Sequence, residues 1–303
     1  MDPRLRKPQL RKPPRMPNKT NKTFTYQSAA DDLVESPNQD YRINENHVWF
    51  RHGPVFRFFF SIAYTILFLI SWFYVRFRLR ARIIGEEKLK PYRGKSFFIY
   101  GNHTLTFGDV ALTIVINYPR PVSAMMSQAN FGIPVVGKVL EWANMLPVPH
   151  TPAEHEGFHR EMDALAKQGT AIAIYPEAHV WPYYTKIRPF SDRSFSYPAR
   201  YGLPVFSSTV TYQKPRLGRF PRVTVYIDGP FLPQGLADPA MTEGLSGENA
   251  GKEGNEGGKR KQDAEAMAKR KSAEAASLRN QVASAMMDRV QLSTYEYVRY
   301  RKA

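Results

Sequence analysis

Two short segments hold residues that can move protons near neutral pH: GNHTLTFGD at 101–109 and AIYPEAHVWP at 173–182. In the first, His103 is the side chain that binds and releases a proton at physiological pH. A carboxylate a few positions on can fix its tautomer and stabilise the imidazolium. Asp109 stands where that carboxylate is needed. The same letters also fit a plain loop histidine followed by an aspartate that caps a helix, so both readings stand on the residues alone. The chain has no cysteine and no Gly-x-Ser-x-Gly elbow. Cysteine nucleophiles, disulfides and thiolate-bound metals are therefore excluded, and nothing points to a serine nucleophile.

Each segment directly follows a short apolar run, SFFIY at 96–100 and TAIAIY at 170–175, of strand length and composition. Further strand-like runs cover 121–126, 205–212 and 223–227, and the alternation RFRLRARII at 76–84 reads as another. Helical patterns fall at 109–117, with Asp109 as N-cap, at 135–144 and at 153–168. Strands separated by helices predict an α/β fold, a mixed or mostly parallel sheet flanked by helices, whose reactive groups gather at the carboxyl ends of strands.

Taken together the two segments resemble the motifs of the glycerolipid acyltransferase family that includes the 1-acylglycerol-3-phosphate acyltransferases. That family carries Asn-His-x4-Asp at one strand end and Pro-Glu-Gly-Thr-Arg at another. Asn102, His103 and Asp109 match the first motif, and Pro176 and Glu177 the second. Between them FGIPVVGKVLEWANMLPV is similar to the family's middle block, with Gly132, Pro134 and Gly137 at its small and proline positions. The resemblance covers about residues 80–230. It implies direct transfer of an acyl group from acyl-CoA or acyl-carrier protein to a hydroxyl of lysophosphatidate or a similar lysophospholipid. His103 would be the general base and Asp109 its partner. No cofactor or metal is implied. Asn102, Thr104, Pro176 and Glu177 would shape the acceptor site.

The departures are specific. Five residues, TLTFG, separate His103 from Asp109 where the family has four, and Gly108 is the residue able to absorb the surplus in the turn. Ala178, His179 and Val180 stand where Gly-Thr-Arg is expected, so the family's phosphate-binding arginine is missing. Pro149 or His150 stands where the middle block usually ends in arginine. His179, Lys186 and Arg188 are the nearby residues that can rebuild an anion site, or else they are ordinary surface charges.

Two rival patterns exist. HEGFH at 155–159 matches the His-Glu-x-x-His zinc signature, with Glu177 as a third ligand, although Gly157 weakens the helix it needs. GIPVVGKV at 132–139 imitates a phosphate-binding loop but has Val139 where Ser or Thr must hold magnesium. Nucleic acid has no recognisable binding module here. The alternatives to an acyltransferase are thus a non-catalytic membrane lipid-binding protein of the same fold and a zinc hydrolase using His155 and His159.

The 303 residues carry a net charge of +16, which calls for an anionic partner. The apolar run FFFSIAYTILFLISWFYV at 58–75 has no ionisable acid or base, and Arg57, Arg76, Arg78, Arg80 and Arg82 flank it. It predicts a helix over 55–75 that crosses a bilayer or lies in its surface, with the catalytic domain on the cytoplasmic side. Residues 1–45, rich in Pro, Asn, Lys and Arg, read as a disordered basic tail, and 76–233 as the acyltransferase domain. Residues 234–261 read as a flexible low-complexity linker, and 262–303 as a C-terminal helical segment.

Overall fold

The computed structural model describes residues 22–34, 40–44, 47–49, 53–216, 218–233 and 257–303. The chain runs through β1 (Thr23–Tyr26), α1 (Pro54–Phe73), β2 (Arg82–Ile84), β3 (Phe97–Gly101), α2 (Gly108–Asn117), β4 (Val122–Met126), α3 (Val136–Trp142) and β5 (Leu146–Pro147). It continues through α4 (Pro152–Lys167), β6 (Ala171–Ile174), α5 (Ser196–Tyr201), β7 (Val205–Gln213), β8 (Arg222–Phe231), α6 (Gly257–Val290) and β9 (Arg299–Lys302). Among the described residues seven strands form one sheet in the order β2-β8-β7-β3-β6-β4-β5. Every neighbouring pair is parallel except β7 with β8. This is an α/β fold with a mostly parallel sheet flanked by helices.

All five residues of β3 are buried, as a central parallel strand requires. Phe97 and Ile99 enter a core shared with Leu112 and Ile116 of α2, while Phe98 and Tyr100 enter a second core closed by α4, α5 and α6. In α6 the residues Leu278, Val282, Met286 and Val290 are buried at helical spacing.

The alternating run at 76–84 is not a strand for most of its length. The helix continues past Phe73 as a π-helical turn, Tyr74–Leu79, and only Arg82–Ile84 is extended. In a strand Phe77 and Leu79 would share a face, yet Phe77 is 54% exposed and Leu79 is 3%. Val75 and Leu79, four apart, are the pair that packs into the core, and that spacing keeps the chain helical.

The tail assigned to 1–45 is ordered in part. β1 pairs in parallel with β9, with Thr23 beside Arg299 and Tyr26 beside Lys302. The Ile43 amide donates to Oε1 of Gln128. A backbone pairing with a segment some 275 residues away leaves no local apolar pattern to read. Residues 1–21 and positions 234–256 of the expected linker lie outside the described residues, and α6 begins at Gly257, before the expected 262.

Candidate active site

β3 and β6 are neighbours in parallel register, Tyr100 beside Ile174, so the two motif segments leave the sheet side by side at its carboxyl edge. His103 follows β3, and its backbone is held at both ends by the second segment. Its amide donates to Oε2 of Glu177 at 3.4 Å, and its carbonyl accepts from the Trp181 amide at 3.0 Å. The Thr104 carbonyl accepts from the Tyr183 amide at 2.9 Å.

Nδ1 of His103 lies 2.8 Å from Oδ2 of Asp109. That same oxygen accepts the Thr104 amide at 2.9 Å and the Leu105 amide at 3.0 Å, so the carboxylate closes the loop back onto itself. With Asp109 ionised, Nδ1 carries the imidazole proton and Nε2 keeps its lone pair. The histidine side chain is 17% exposed and the aspartate 1%. Burial pushes the Asp109 carboxyl up from the usual range, against the opposing pull of His103 and the two amides. Its Oδ1 is buried with no hydrogen-bond partner among the described residues.

The surplus loop residue is absorbed differently from expectation. Thr106 and Phe107 bulge outward, Phe107 at 75% exposure, and α2 starts at Gly108 with a negative φ. Gly108 is needed for proximity: a Cβ there would lie 2.8 Å from Leu105 Cβ and 3.2 Å from Leu79 Cδ1. Asp109 is not the N-cap, which is Phe107; its side chain turns back to His103 and the preceding amides.

Several residues assigned to substrate contact are spent on the scaffold. The Asn102 side chain donates to the Val210 carbonyl at 3.1 Å and accepts its amide at 2.8 Å, a two-point clamp onto β7. Thr104 is fully buried, its Oγ1 2.7 Å from the Tyr212 hydroxyl. Arg188 is buried against Glu177, with Nε and Nη2 at 3.3 and 3.2 Å from Oε2, and its amide donates to Oε1 at 3.0 Å. The guanidinium also donates to the carbonyls of Ala29 and His179. Burial pulls the Glu177 carboxyl up and the Arg188 charge holds it down. Of the charged candidates, Lys186 is exposed, and His179 is partly exposed with Nδ1 3.4 Å from Oδ2 of Asp32. Pro176 lies in the turn after β6.

The sequence reading missed Tyr175 and Trp181. The Tyr175 ring stacks on His103 with centroids 4.6 Å apart, and its hydroxyl lies 2.8 Å from Thr113 Oγ1. The signal was Gly101: a Cβ there would meet the Tyr175 ring at 2.7 Å. Trp181 is buried between Tyr26 and Tyr300, its Nε1 donating to the Asp31 carbonyl. The zinc alternative fails on geometry: Glu177 is taken by Arg188, and among the described residues no three His, Asp or Glu converge on a metal position.

No protein-family model matches the chain, and a search of curated proteins gives no match. Among solved structures it is similar to the 1-acyl-sn-glycerophosphate (LPA) acyltransferase PlsC from Thermotoga maritima. The identity is 18% over 60% of this chain and 73% of that one, with a TM-score of 0.43. At that level the likeness assigns neither family nor reaction, and the chemistry rests on the residues themselves.

Proposed function

We propose that the protein is a membrane-associated O-acyltransferase with His103 as general base. It takes a fatty acyl group from acyl-CoA or acyl-carrier protein to a hydroxyl of lysophosphatidate or a similar lysophospholipid. The observation that carries this reading is the 2.8 Å contact between Nδ1 of His103 and Asp109, which leaves Nε2 as the basic atom. Nε2 removes the acceptor's hydroxyl proton as that oxygen attacks the thioester carbonyl. The tetrahedral intermediate then collapses, the carbon–sulfur bond breaks, and the imidazolium returns the proton to the departing thiolate. Asp109 holds the ring and stabilises its charged form. No acyl-enzyme is formed, in keeping with a chain that has no cysteine.

Lys186 and His179 have the exposed polar atoms that can meet the acceptor's phosphate, whereas Arg188 is neutralised internally. The apolar helix α1 and its arginines keep the domain at a lipid surface, and that positive charge favours the anionic cytoplasmic leaflet. A second reading, a lipid-binding protein without turnover, is favoured by the loss of a free arginine from the second motif. A panel of lysophospholipids offered with labelled acyl-CoA or acyl-carrier protein separates the two. Esterification of at least one acceptor supports the enzyme, and binding without any esterification supports the second reading.

A further inference from the structure

We infer that α1 does not cross the bilayer but lies in the plane of its surface, apolar stripe down, beside the mouth of the His103 site. This rests on the membrane reading above and is independent of the catalytic one. With its π-helical extension the helix runs from Pro54 to Leu79, 26 residues or about 39 Å, long enough by length and composition to span.

Its packing forbids that. One stripe is docked on the domain from end to end. The Phe56 ring lies 5.9 Å from Trp142 of α3. The Tyr64 hydroxyl donates to the Arg120 carbonyl at 3.2 Å, Phe68 stacks on Tyr118 at 3.8 Å, and Val75 and Leu79 enter the core. A helix held over this whole length cannot stand across a membrane unless the sheet domain enters the hydrocarbon too, where its exposed polar groups are intolerable.

The opposite stripe is apolar and, among the described residues, uncovered. Val55, Phe58, Phe59, Ile62, Ile66, Leu69, Ile70, Phe73 and Phe77 are all exposed and, at 100° per residue, fall within one face of the helix. The face continues onto α3, where Val139 and Trp142 are exposed and Trp142 meets Phe56. From Pro54 to Gly85 there is no acidic residue, while Arg76, Arg78, Arg80 and Arg82 are exposed at one end. A broad apolar stripe edged by cations fits the boundary between acyl chains and anionic headgroups, and suits a protein partner less well. Leu79, at the end of this helix, packs beneath Gly108 of the His103 loop, so lipid lying under α1 borders the reaction centre.

The absence of native cysteine makes a direct test available. Single variants Phe59→Cys, Ile66→Cys and Phe73→Cys, seven residues apart on the outward stripe, are labelled with a fluorophore. The full chain is bound to phosphatidylcholine vesicles containing phosphatidylglycerol, and depth is read from lipid-borne quenchers. Equal, shallow depths at all three positions are expected. A label at Ile66 deeper than both others, with Phe59 and Phe73 near opposite leaflets, would overturn the inference in favour of a span. Shielding of all three labels before vesicles are added, with sedimentation as a dimer, would overturn it in favour of a second copy. Ile62→Glu combined with Ile66→Glu should weaken vesicle partitioning roughly tenfold or more. The same variant should keep its circular dichroism spectrum and any turnover on detergent-dispersed acceptor. If wild type shows no transfer at all yet the depths are equal, the catalytic reading fails and this one stands.

Discussion

The amide of His103 donates to the carboxylate of Glu177, 74 residues further along the chain, and the His103 carbonyl accepts from Trp181 in the same segment. The second motif therefore aims the histidine: it fixes the backbone on either side of the imidazole, while Asp109 fixes the ring. On the proposed function, Glu177 and Arg188, read from sequence as acceptor contacts, act as positioning residues through these hydrogen bonds.

Removing one member of that buried pair should therefore cost stability before chemistry. Arg188→Met leaves the Glu177 carboxylate buried and uncompensated, and should lower unfolding free energy by about 3–5 kcal/mol. Replacing both residues, Glu177→Gln with Arg188→Met, should cost less than the sum of the single changes. A denaturant-melt double-mutant cycle checks this, and additive losses would contradict the pairing.

Asp109→Asn should leave the fold nearly unchanged and cut turnover by about 10³–10⁴-fold, because an amide no longer dictates that Nδ1 carries the proton. Steady-state kinetics at saturating donor give the result. A loss confined to the KM of the acceptor would place Asp109 in binding instead.

Gly108→Ala adds a methyl group that must lie 2.8 Å from Leu105 Cβ. The start of α2 has to move, and with it Asp109. Activity should fall by about tenfold or more while thermal stability drops by about 1–3 kcal/mol. Unchanged kinetics would mean that the loop tolerates displacement of the carboxylate.

Glu161 on α4 is fully buried and, among the described residues, neither carboxylate oxygen has a hydrogen-bond partner. Burial pushes its pKa from 4.5 up to about 9. The folded state thus holds a proton that the unfolded chain releases near 4.5. Its contribution to stability is largest below that pH and falls by about 1.4 kcal/mol per pH unit until the folded group also ionises near 9. Glu161→Gln should flatten this decline, with melting temperature gaining more at pH 8 than at pH 5. An equal gain at both would show that the carboxyl ionises freely in the folded protein.

The core of this arrangement was legible because its signals are local. Apolar runs at 96–100 and 170–175 became adjacent parallel strands, and a histidine and a carboxylate just beyond the first now lie 2.8 Å apart. What escaped was set by tertiary packing. Leu79 reads as one beat of a strand, but the core takes it at helical spacing with Val75. Tyr175 looks like the last apolar residue of its strand, and only the glycine it presses upon, Gly101, marked a close neighbour. Arg188 looks like a solvent charge, since its partner lies 11 residues earlier across a turn. β1 was read as tail because its pairing is with β9.

Release of free thiol from acyl-CoA, with and without lysophosphatidate, tests the central claim most directly, and a cysteine-free chain contributes no thiol of its own. Wild type should release thiol in an acceptor-dependent way, and His103→Ala should lower that rate to a few thousandths or less while melting at nearly the same temperature. Thiol release that persists in His103→Ala would contradict the account.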